Sequence, residues 1–203
     1  MNHKTFFKKL CMTVMVLCMT AGVMLMSGCA QEETEAEEQL IFADIEIADY
    51  GTISVKLNPK AAPVTVENFV KLAEEGFYDG LTFHRIISGF MMQGGDPEGT
   101  GMGGSEETIV GEFAANGHEN PISHVRGVIS MARAQDYNSA SSQFFIMHAN
   151  SESLDGQYAA FGVMTRGLDV LDAICADAQP TDNNGTIPAE AQPVITSITI
   201  RYE

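Results

Sequence analysis

The sequence predicts a mainly β protein, a closed antiparallel barrel capped by two α-helices. Short runs rich in β-branched or aromatic residues recur along the chain and are separated by turns that contain glycine. Only two segments change to the apolar period of a helix. With 203 residues, the chain is long enough for one such domain and a short extension.

The first elements follow one another from Leu40. In LIFADIEIADYGTISVKLNP, apolar residues alternate on both sides of a turn at residues 49–51, which predicts a hairpin. In APVTVENFVKLAEEGFYDG the period becomes helical, with Thr65 as the expected N-cap and Gly76 as the stop. LTFHRII and FMMQ are expected to be extended, and residues 94–104 to form a glycine-rich loop.

The later elements continue the same alternation of types. GVISMAR, SQFFIMH and AAFGVM are typical of strands. GLDVLDAICA returns to a helical period, with Leu168, Leu171 and Ile174 on one side. The closing VITSITIRYE alternates as a last strand, and no internal repeat is present.

Residues 1–28 predict export from the cytoplasm. Three lysines precede an uncharged apolar run at residues 10–26, which is the pattern of a secretory signal. Small residues directly before Cys29 resemble the lipobox of bacterial lipoproteins, in which cleavage leaves the cysteine to carry the lipid. An uncleaved membrane anchor and plain secretion are the alternatives. All three place the domain outside the cytoplasm, and we expect lipid attachment at Cys29.

Residues 29–39, CAQEETEAEEQ, are acidic and predict a solvated tether to a domain at residues 40–203. Without the three lysines of the signal, the chain has 8 basic and 27 acidic residues, a net charge of −19. Such a surface repels phosphates, so we expect no nucleic-acid partner. Cys175 is the one cysteine after Cys29, which leaves no disulfide within the domain and predicts a buried thiol.

Several familiar motifs are rejected on their context. Residues 99–104, GTGMGG, fit G-x-G-x-x-G but follow no strand, and acids come after them where a pyrophosphate would lie. The histidines after residue 40 lack metal-ligand spacing. No nucleophile elbow surrounds Ser141 and Ser142, although the sequence leaves a Ser-His-Asp triad open. We expect neither a cofactor nor a metal.

Five blocks carry a resemblance to a known family. FHRIISGFMMQGGD, GTGMGG, GVISMARA, SSQFFI and LDGQYAAFG occur in an order and at spacings that resemble cyclophilins, the peptidyl-prolyl cis-trans isomerases. The resemblance covers about residues 40–202. It implies an eight-stranded antiparallel barrel closed at its ends by two helices, with the site on its outer face.

The same resemblance implies which residues act. Arg85 is the expected catalytic residue. Substrate binding is expected from Phe90, Met91, Gln93, Gly101, Ala132, Arg133, Gln143, Phe145, Leu154 and Tyr158. Arg133, Ser153 and Tyr158 stand where eukaryotic members usually have Asn, Trp and His. The missing indole removes an apolar contact and an N–H donor, so we expect weak cyclosporin binding.

The chemistry of X-Pro rotation suits these residues. No bond is made or broken, so neither a nucleophile nor a proton shuttle is required, and His84 and Asp96 are interpreted as structural. A guanidinium from Arg85 at the imide nitrogen would stabilise the twisted transition state. We expect a monomeric isomerase that acts on proline-containing exported or surface polypeptides and assists their folding. The alternative is a non-catalytic proline-peptide binding module or holdase.

Overall fold

The computed structural model describes residues 39–203, which form one antiparallel sheet with two helices. The predicted signal peptide, all of the tether except Gln39, and the lipid attachment at Cys29 lie outside these residues. The strands are β1 Ile41–Ile47, β2 Gly51–Leu57, β3 Arg85–Ile87, β4 Met91–Gly94, β5 Val128–Met131, β6 Phe144–Met147, β7 Ala160–Arg166 and β8 Ile195–Tyr202. The helices are α1 Pro63–Glu74 and α2 Leu168–Asp177.

The sheet is a curled half-barrel rather than the closed barrel that the sequence predicted. Its strand order is β3-β4-β6-β5-β7-β2-β1-β8, and no ladder joins β3 to β8 within the described residues. Instead, the loop after α2 covers the free edge of β3, where the Ile86 amide donates to the Gly185 carbonyl at 2.8 Å. Just before β3, Phe83 donates to Pro193 at 2.9 Å. These irregular segments supply the partners that a closing strand would have supplied.

The hairpin predicted from alternation is confirmed as β1 and β2. Ile41 pairs with Leu57 and Ile47 with Gly51, so the two strands run in full register across the turn. Asp49 adopts a φ of 68° in that turn, which an aspartate tolerates better than most residues. β8 pairs with the other edge of β1, which joins the two ends of the described chain in one sheet.

The first helix begins two residues earlier than its predicted cap. Thr65 lies inside α1 and is fully buried, so its prediction as the N-cap was wrong. The remote carboxylate of Glu112 satisfies the free N–H groups of this end, with bonds of 3.0 Å from Val64 and 2.8 Å from Thr65. Pro63 starts the helix because proline suits the first turn. A cap supplied from 47 residues away in the chain has no local sequence signal.

The buried face of the second helix does not include Leu168, which the sequence placed on the same side as Leu171 and Ile174. Leu171, Ile174 and Cys175 are buried, whereas Leu168 is 44% exposed at the helix start. Burial raises the pKa of the Cys175 thiol to about 11, as expected for an inert buried cysteine. Within residues 39–203, no helix combines the length and the apolar composition needed to cross a membrane.

The central strands are apolar on both faces of the sheet. Along β6, Phe144 and Ile146 enter the main core, whereas Phe145 and Met147 face a second, smaller apolar cluster. The main core includes Phe69 of α1, whose ring centroid lies 5.5 Å from that of Phe144 in an edge-on arrangement. Because successive side chains point to opposite faces, a continuous apolar strand builds two surfaces at once. The second surface becomes the floor of the candidate site.

Candidate active site

A pocket of about 250 Å³ opens over the second apolar cluster, on the outer face of the sheet. Nine of the eleven residues that the sequence assigned to catalysis and substrate binding line it: Arg85, Phe90, Met91, Gln93, Ala132, Arg133, Phe145, Leu154 and Tyr158. The other two, Gly101 and Gln143, line a neighbouring depression of about 460 Å³. Gln93, Ala132 and Arg133 line both, so the two depressions form one continuous groove.

The floor of the pocket is buried and apolar. Phe145 is 5% exposed, and its ring meets that of Tyr158 edge-on at 5.6 Å between centroids. Met91, fully buried on β4, completes the floor beside Phe145. The carbonyl of Phe90 accepts two backbone N–H bonds, from His148 at 2.9 Å and Ala149 at 3.2 Å. A pocket of this kind suits a small apolar ring.

Arg85, the first residue of β3, carries the charge of the pocket. Its Nε donates to the carbonyl of Asn184 at 2.8 Å, and its Nη1 donates to Gln93 Oε1 at 3.2 Å. Nη1 also lies 3.7 Å from the Met91 sulfur. Burial lowers the pKa of Arg85 below its ordinary value, but a guanidinium remains protonated at any physiological pH. The cation is therefore partly desolvated and held in one orientation.

Two glutamine amides extend from this cation along the groove. Gln93 Nε2 donates to Gln143 Oε1 at 2.9 Å, and Gln143 Nε2 donates to the Gly103 carbonyl at 2.7 Å. The chain of bonds fixes both amide orientations, because each oxygen accepts and each nitrogen donates in one direction. In the pairing of β4 with β6, Gln93 lies opposite Phe145. Gln143 directly precedes β6 and is therefore close to Gln93. Gln93 thus accepts from Arg85 and is itself held by Gln143.

The glycine-rich loop wraps around the Asp96 carboxylate. Asp96 is 1% exposed and accepts backbone N–H bonds from Glu98 at 2.9 Å, Thr100 at 3.0 Å and Gly101 at 2.6 Å. Burial alone would raise the pKa of Asp96, but the backbone N–H bonds outweigh it and lower the pKa. A Cβ on Gly103 would come within 2.2 Å of Asp96 Oδ1. These amides serve Asp96, which explains the motif without a phosphate ligand.

His84 is buried under the same loop. It is 4% exposed, and neither ring nitrogen has a hydrogen-bond partner within the described residues. Burial lowers the pKa of His84, with Asp96 opposing and Arg85 adding to the shift. The imidazole is therefore neutral near pH 7 and packs as part of the loop's support. Within residues 39–203, no group of three His, Cys, Asp or Glu side chains could hold a metal ion.

A buried polar series that the sequence did not reveal lies behind Phe145. His124 contacts Asp155 Oδ1 through Nδ1 at 2.8 Å and Ser130 Oγ through Nε2 at 3.0 Å. The order Ser-His-Asp is that of a hydrolase, but Ser130 and His124 are both fully buried. Burial lowers the pKa of His124, against the raising effect of Asp155. His124 stacks on Phe145 at 6.0 Å, so the series supports the pocket floor and presents no nucleophile to the groove.

Two further contacts of the site have no signal in the sequence. Asn184 reaches Arg85 through its backbone carbonyl, which any residue type could supply. Phe113 and Tyr137 surround Arg133, with the guanidinium carbon 5.1 Å and 4.8 Å from their ring centroids. Both rings come from loops distant in sequence from Tyr158, which also contacts Arg133 at 4.8 Å.

Comparisons with known proteins agree with this geometry. The family model described as "Cyclophilin type peptidyl-prolyl cis-trans isomerase/CLD" matches residues 42–200. Peptidyl-prolyl cis-trans isomerase B of Bacillus subtilis (strain 168) is 50% identical over 123 residues, which cover 61% of this chain and 82% of the relative. A crystal structure of a cyclophilin-type isomerase from Cryptosporidium parvum superposes with a TM-score of 0.70 at 30% identity, covering 80% of this chain and 98% of that one. A second structure of it, determined with the dipeptide Ala-Pro present, gives a TM-score of 0.69 at 30% identity and covers 79% and 98% of the two chains.

Proposed function

Because the chain belongs to the cyclophilin-type peptidyl-prolyl cis-trans isomerase family, we propose that it accelerates X-Pro rotation in exported polypeptides, with Arg85 as the catalytic residue. The observation that carries this proposal is a desolvated, oriented cation beside an apolar floor. Within the described residues, the pocket lining contains no serine, cysteine, histidine or carboxylate. Such a lining suits a reaction that breaks no bond.

The barrier to X-Pro rotation arises from amide resonance and is about 18–20 kcal/mol. At the twisted transition state the nitrogen lone pair localises and becomes a stronger hydrogen-bond acceptor. A guanidinium N–H directed at this nitrogen stabilises the transition state more than either planar ground state, which is the condition for catalysis. Arg85 can do this without moving far, since Asn184 and Gln93 hold it from two sides. A barrier lower by about 7 kcal/mol corresponds to roughly 10⁵-fold acceleration.

The apolar floor positions the proline ring next to the cation. Burying the ring on Phe90, Met91 and Phe145 would contribute about 1–2 kcal/mol by area. The polypeptide on one side of the proline then continues into the neighbouring depression, where Gln143 and the loop at residues 101–105 lie. The Cryptosporidium parvum relative was crystallised in the presence of the dipeptide Ala-Pro, and we take a proline-containing peptide as the ligand of this pocket.

The role of Arg85 is tested by its replacement. We expect Arg85→Ala to lower the isomerisation rate of a proline peptide by at least about 10²-fold, the usual effect of removing a transition-state donor. Arg166→Ala is the matched control, because Arg166 is exposed on β7 and does not line the groove. NMR exchange spectroscopy measures the cis–trans rate without a coupling protease. Equal rates for wild type and Arg85→Ala would refute the role of Arg85, and an inactive wild type that still binds the peptide would favour the holdase.

The cellular location is a separate part of the proposal. We infer an extracytoplasmic, lipid-anchored protein from the lysine-bearing start, the apolar run at residues 10–26 and the small residues before Cys29. Rotation about X-Pro bonds takes about 10–100 s without catalysis, so it limits the folding of polypeptides after export. An anchored isomerase at the membrane would meet these chains as they emerge, and assistance of their folding follows from that placement.

Lipid attachment is tested at Cys29. We expect Cys29→Ala to abolish incorporation of a labelled fatty acid and to stop cleavage before residue 29, so that the apolar run stays on the protein. Cys18→Ala is the control, because Cys18 lies in the apolar run of the signal and leaves with it. Cys29→Ala protein that is still processed and membrane-bound as the wild type is would refute the lipoprotein proposal.

A further inference from the structure

Arg133 lies where three surface depressions meet. It lines the pocket of about 250 Å³, the neighbouring depression of about 460 Å³ and an open one of about 640 Å³ beside Tyr137. No other residue lines all three within residues 39–203. A polypeptide with its proline on the floor of the first pocket passes this side chain if it continues into the neighbouring depression.

The Arg133 guanidinium is fixed entirely by neutral groups. Three aromatic rings surround its central carbon. The carbon lies 5.1 Å from the ring centroid of Phe113 and 4.8 Å from those of Tyr137 and Tyr158. Nε donates to the Gln157 carbonyl at 3.1 Å, and Nη1 donates to the Ala134 carbonyl at 2.9 Å. Within the described part of the chain, Nη2 donates no hydrogen bond. Orientation is thus set while one end of the fork remains available.

The charge of Arg133 is also not neutralised. Among the described residues, Arg126 pairs with Asp172 at 2.7 Å and Arg201 with Asp44 at 2.6 Å. Neither Arg133 nor Arg85, the two arginines of the proline pocket, forms a salt bridge within residues 39–203. In a chain with a net charge of −16, the groove therefore holds two arginines that form no salt bridge among the described residues, and Asp136 lines only the open depression beside Arg133. The complementary ligand of the groove is an anion, whereas the surrounding surface repels anions that do not fit.

We propose that Arg133 is a specificity-determining residue that selects polypeptides with a carboxylate within two residues of the proline. The proposal rests on the proposed isomerase function and adds the substrate class to it. Carboxylates match the planar fork of a guanidinium, and the aromatic surroundings keep this fork from collapsing onto the surface. The carboxylate can come from an Asp or Glu side chain or from the C-terminus of a short chain. The test therefore uses different peptides for these two sources.

A purely structural role gives a different expectation. Arg133 also ties together the loops that carry Tyr137 and Tyr158, so its removal could loosen the groove. Loosening would lower activity toward all peptides alike, regardless of their charge. Charge selection instead changes the ratio between acidic and neutral peptides and makes that ratio depend on ionic strength, because salt screens partly exposed pairs.

The experiment compares kcat/KM for peptides that differ at one position, with Glu, Gln or Lys placed up to two residues on either side of the proline. All have amidated C-termini, and a second Gln peptide has a free C-terminal carboxylate. For the full-length wild type we expect Glu to exceed Gln by roughly three- to tenfold at one position, and Lys to fall below Gln. High salt should reduce the ratio. Arg133→Gln should bring it close to one, and Arg133→Lys should retain part of it.

Arg166→Gln is the matched control, because it makes the same charge change at an exposed position outside the groove and should keep the wild-type ratio. A wild-type Glu-to-Gln ratio of one at every position would overturn the proposal, as would an unchanged ratio in Arg133→Gln. If only the free C-terminus is preferred, side-chain selection is refuted. If Arg133→Gln does not fold, the salt dependence of the wild-type ratio decides alone. Inactivity of the wild type toward every peptide would instead refute the isomerase function itself.

Discussion

Replacing Gln93 by glutamate tests the chain of amides that orients the catalytic cation. The substitution keeps the size of the side chain but removes its N–H donors and adds a charge. In the structure, Gln93 accepts from Arg85 Nη1 at 3.2 Å and donates to Gln143 Oε1 at 2.9 Å. A carboxylate there would hold Arg85 as a salt bridge. It would also face the Gln143 oxygen with a second oxygen, so Gln143 must rotate and lose its bond to the Gly103 carbonyl.

The size of the effect follows from what the guanidinium must do at the transition state. At a separation of 3.2 Å and an effective dielectric constant of about 20, opposite unit charges attract by about 5 kcal/mol before desolvation. This attraction competes with donation to the imide nitrogen. A hydrogen bond from a charged donor contributes about 1.5–3 kcal/mol, so its loss should lower kcat/KM by roughly 10- to 150-fold. Gln93→Met should cost less than about tenfold, because Asn184 still holds Arg85 at 2.8 Å without a competing charge.

The assay is the cis–trans exchange rate of a neutral proline peptide, with unfolding by urea as a check on stability. Gln179→Glu is the control, because it adds the same charge at an exposed position beyond α2. The expected order of activity is wild type and Gln179→Glu first, Gln93→Met next and Gln93→Glu last. If Gln93→Glu is as active as Gln93→Met, neutralising the cation has no effect and electrostatic stabilisation by Arg85 is refuted.

Three further predictions concern pH, an inhibitor and oxidation. Burial lowers the pKa of His84 below its ordinary 6.5, so the unfolded chain binds more protons and stability should decrease as pH falls below about 6.5. His84→Gln should reduce the loss of unfolding free energy between pH about 7.5 and about 5.5, and an unchanged loss would contradict the argument. Cyclosporin should bind weakly, and Ser153→Trp, in the exposed turn beside Leu154, should tighten binding roughly tenfold by calorimetry; nanomolar binding to the wild type would contradict this. Hydrogen peroxide should transfer an oxygen atom first to the sulfur of Met102, which is 87% exposed, because the other methionines of residues 39–203 are at most 9% exposed. Peptide mass mapping identifies the site, Met102→Leu is the control, and earlier oxidation of a buried methionine would refute the ranking.

The sequence predicted the elements that depend on local pattern. Alternation predicted the hairpin of β1 and β2, and the five blocks that resemble cyclophilins together supplied nine of eleven assigned residues that line one pocket. The errors concern contacts between distant segments. Glu112 caps α1 from another loop, so the cap predicted at Thr65 was misplaced. The loop at Gly185 covers an edge that a closing strand was expected to occupy. Backbone carbonyls and remote carboxylates act without a residue-type signal at the position they serve, so no local pattern could report them.

In so acidic a chain, Arg85 keeps its charge available only if neutral groups, and not carboxylates, hold it in place. Burial lowers the pKa of Arg85, and the carboxylate of Asp182 opposes this, because its negative charge stabilises the protonated guanidinium. Among the described residues Asp182 forms no salt bridge with Arg85, and its two oxygens accept from Thr186, through the N–H at 3.0 Å and the hydroxyl at 2.9 Å. The same turn then presents the Asn184 carbonyl, a neutral acceptor, to Arg85 Nε. A neutral acceptor orients a cation without cancelling its field, and this distinction is what a reaction driven by one oriented charge depends on.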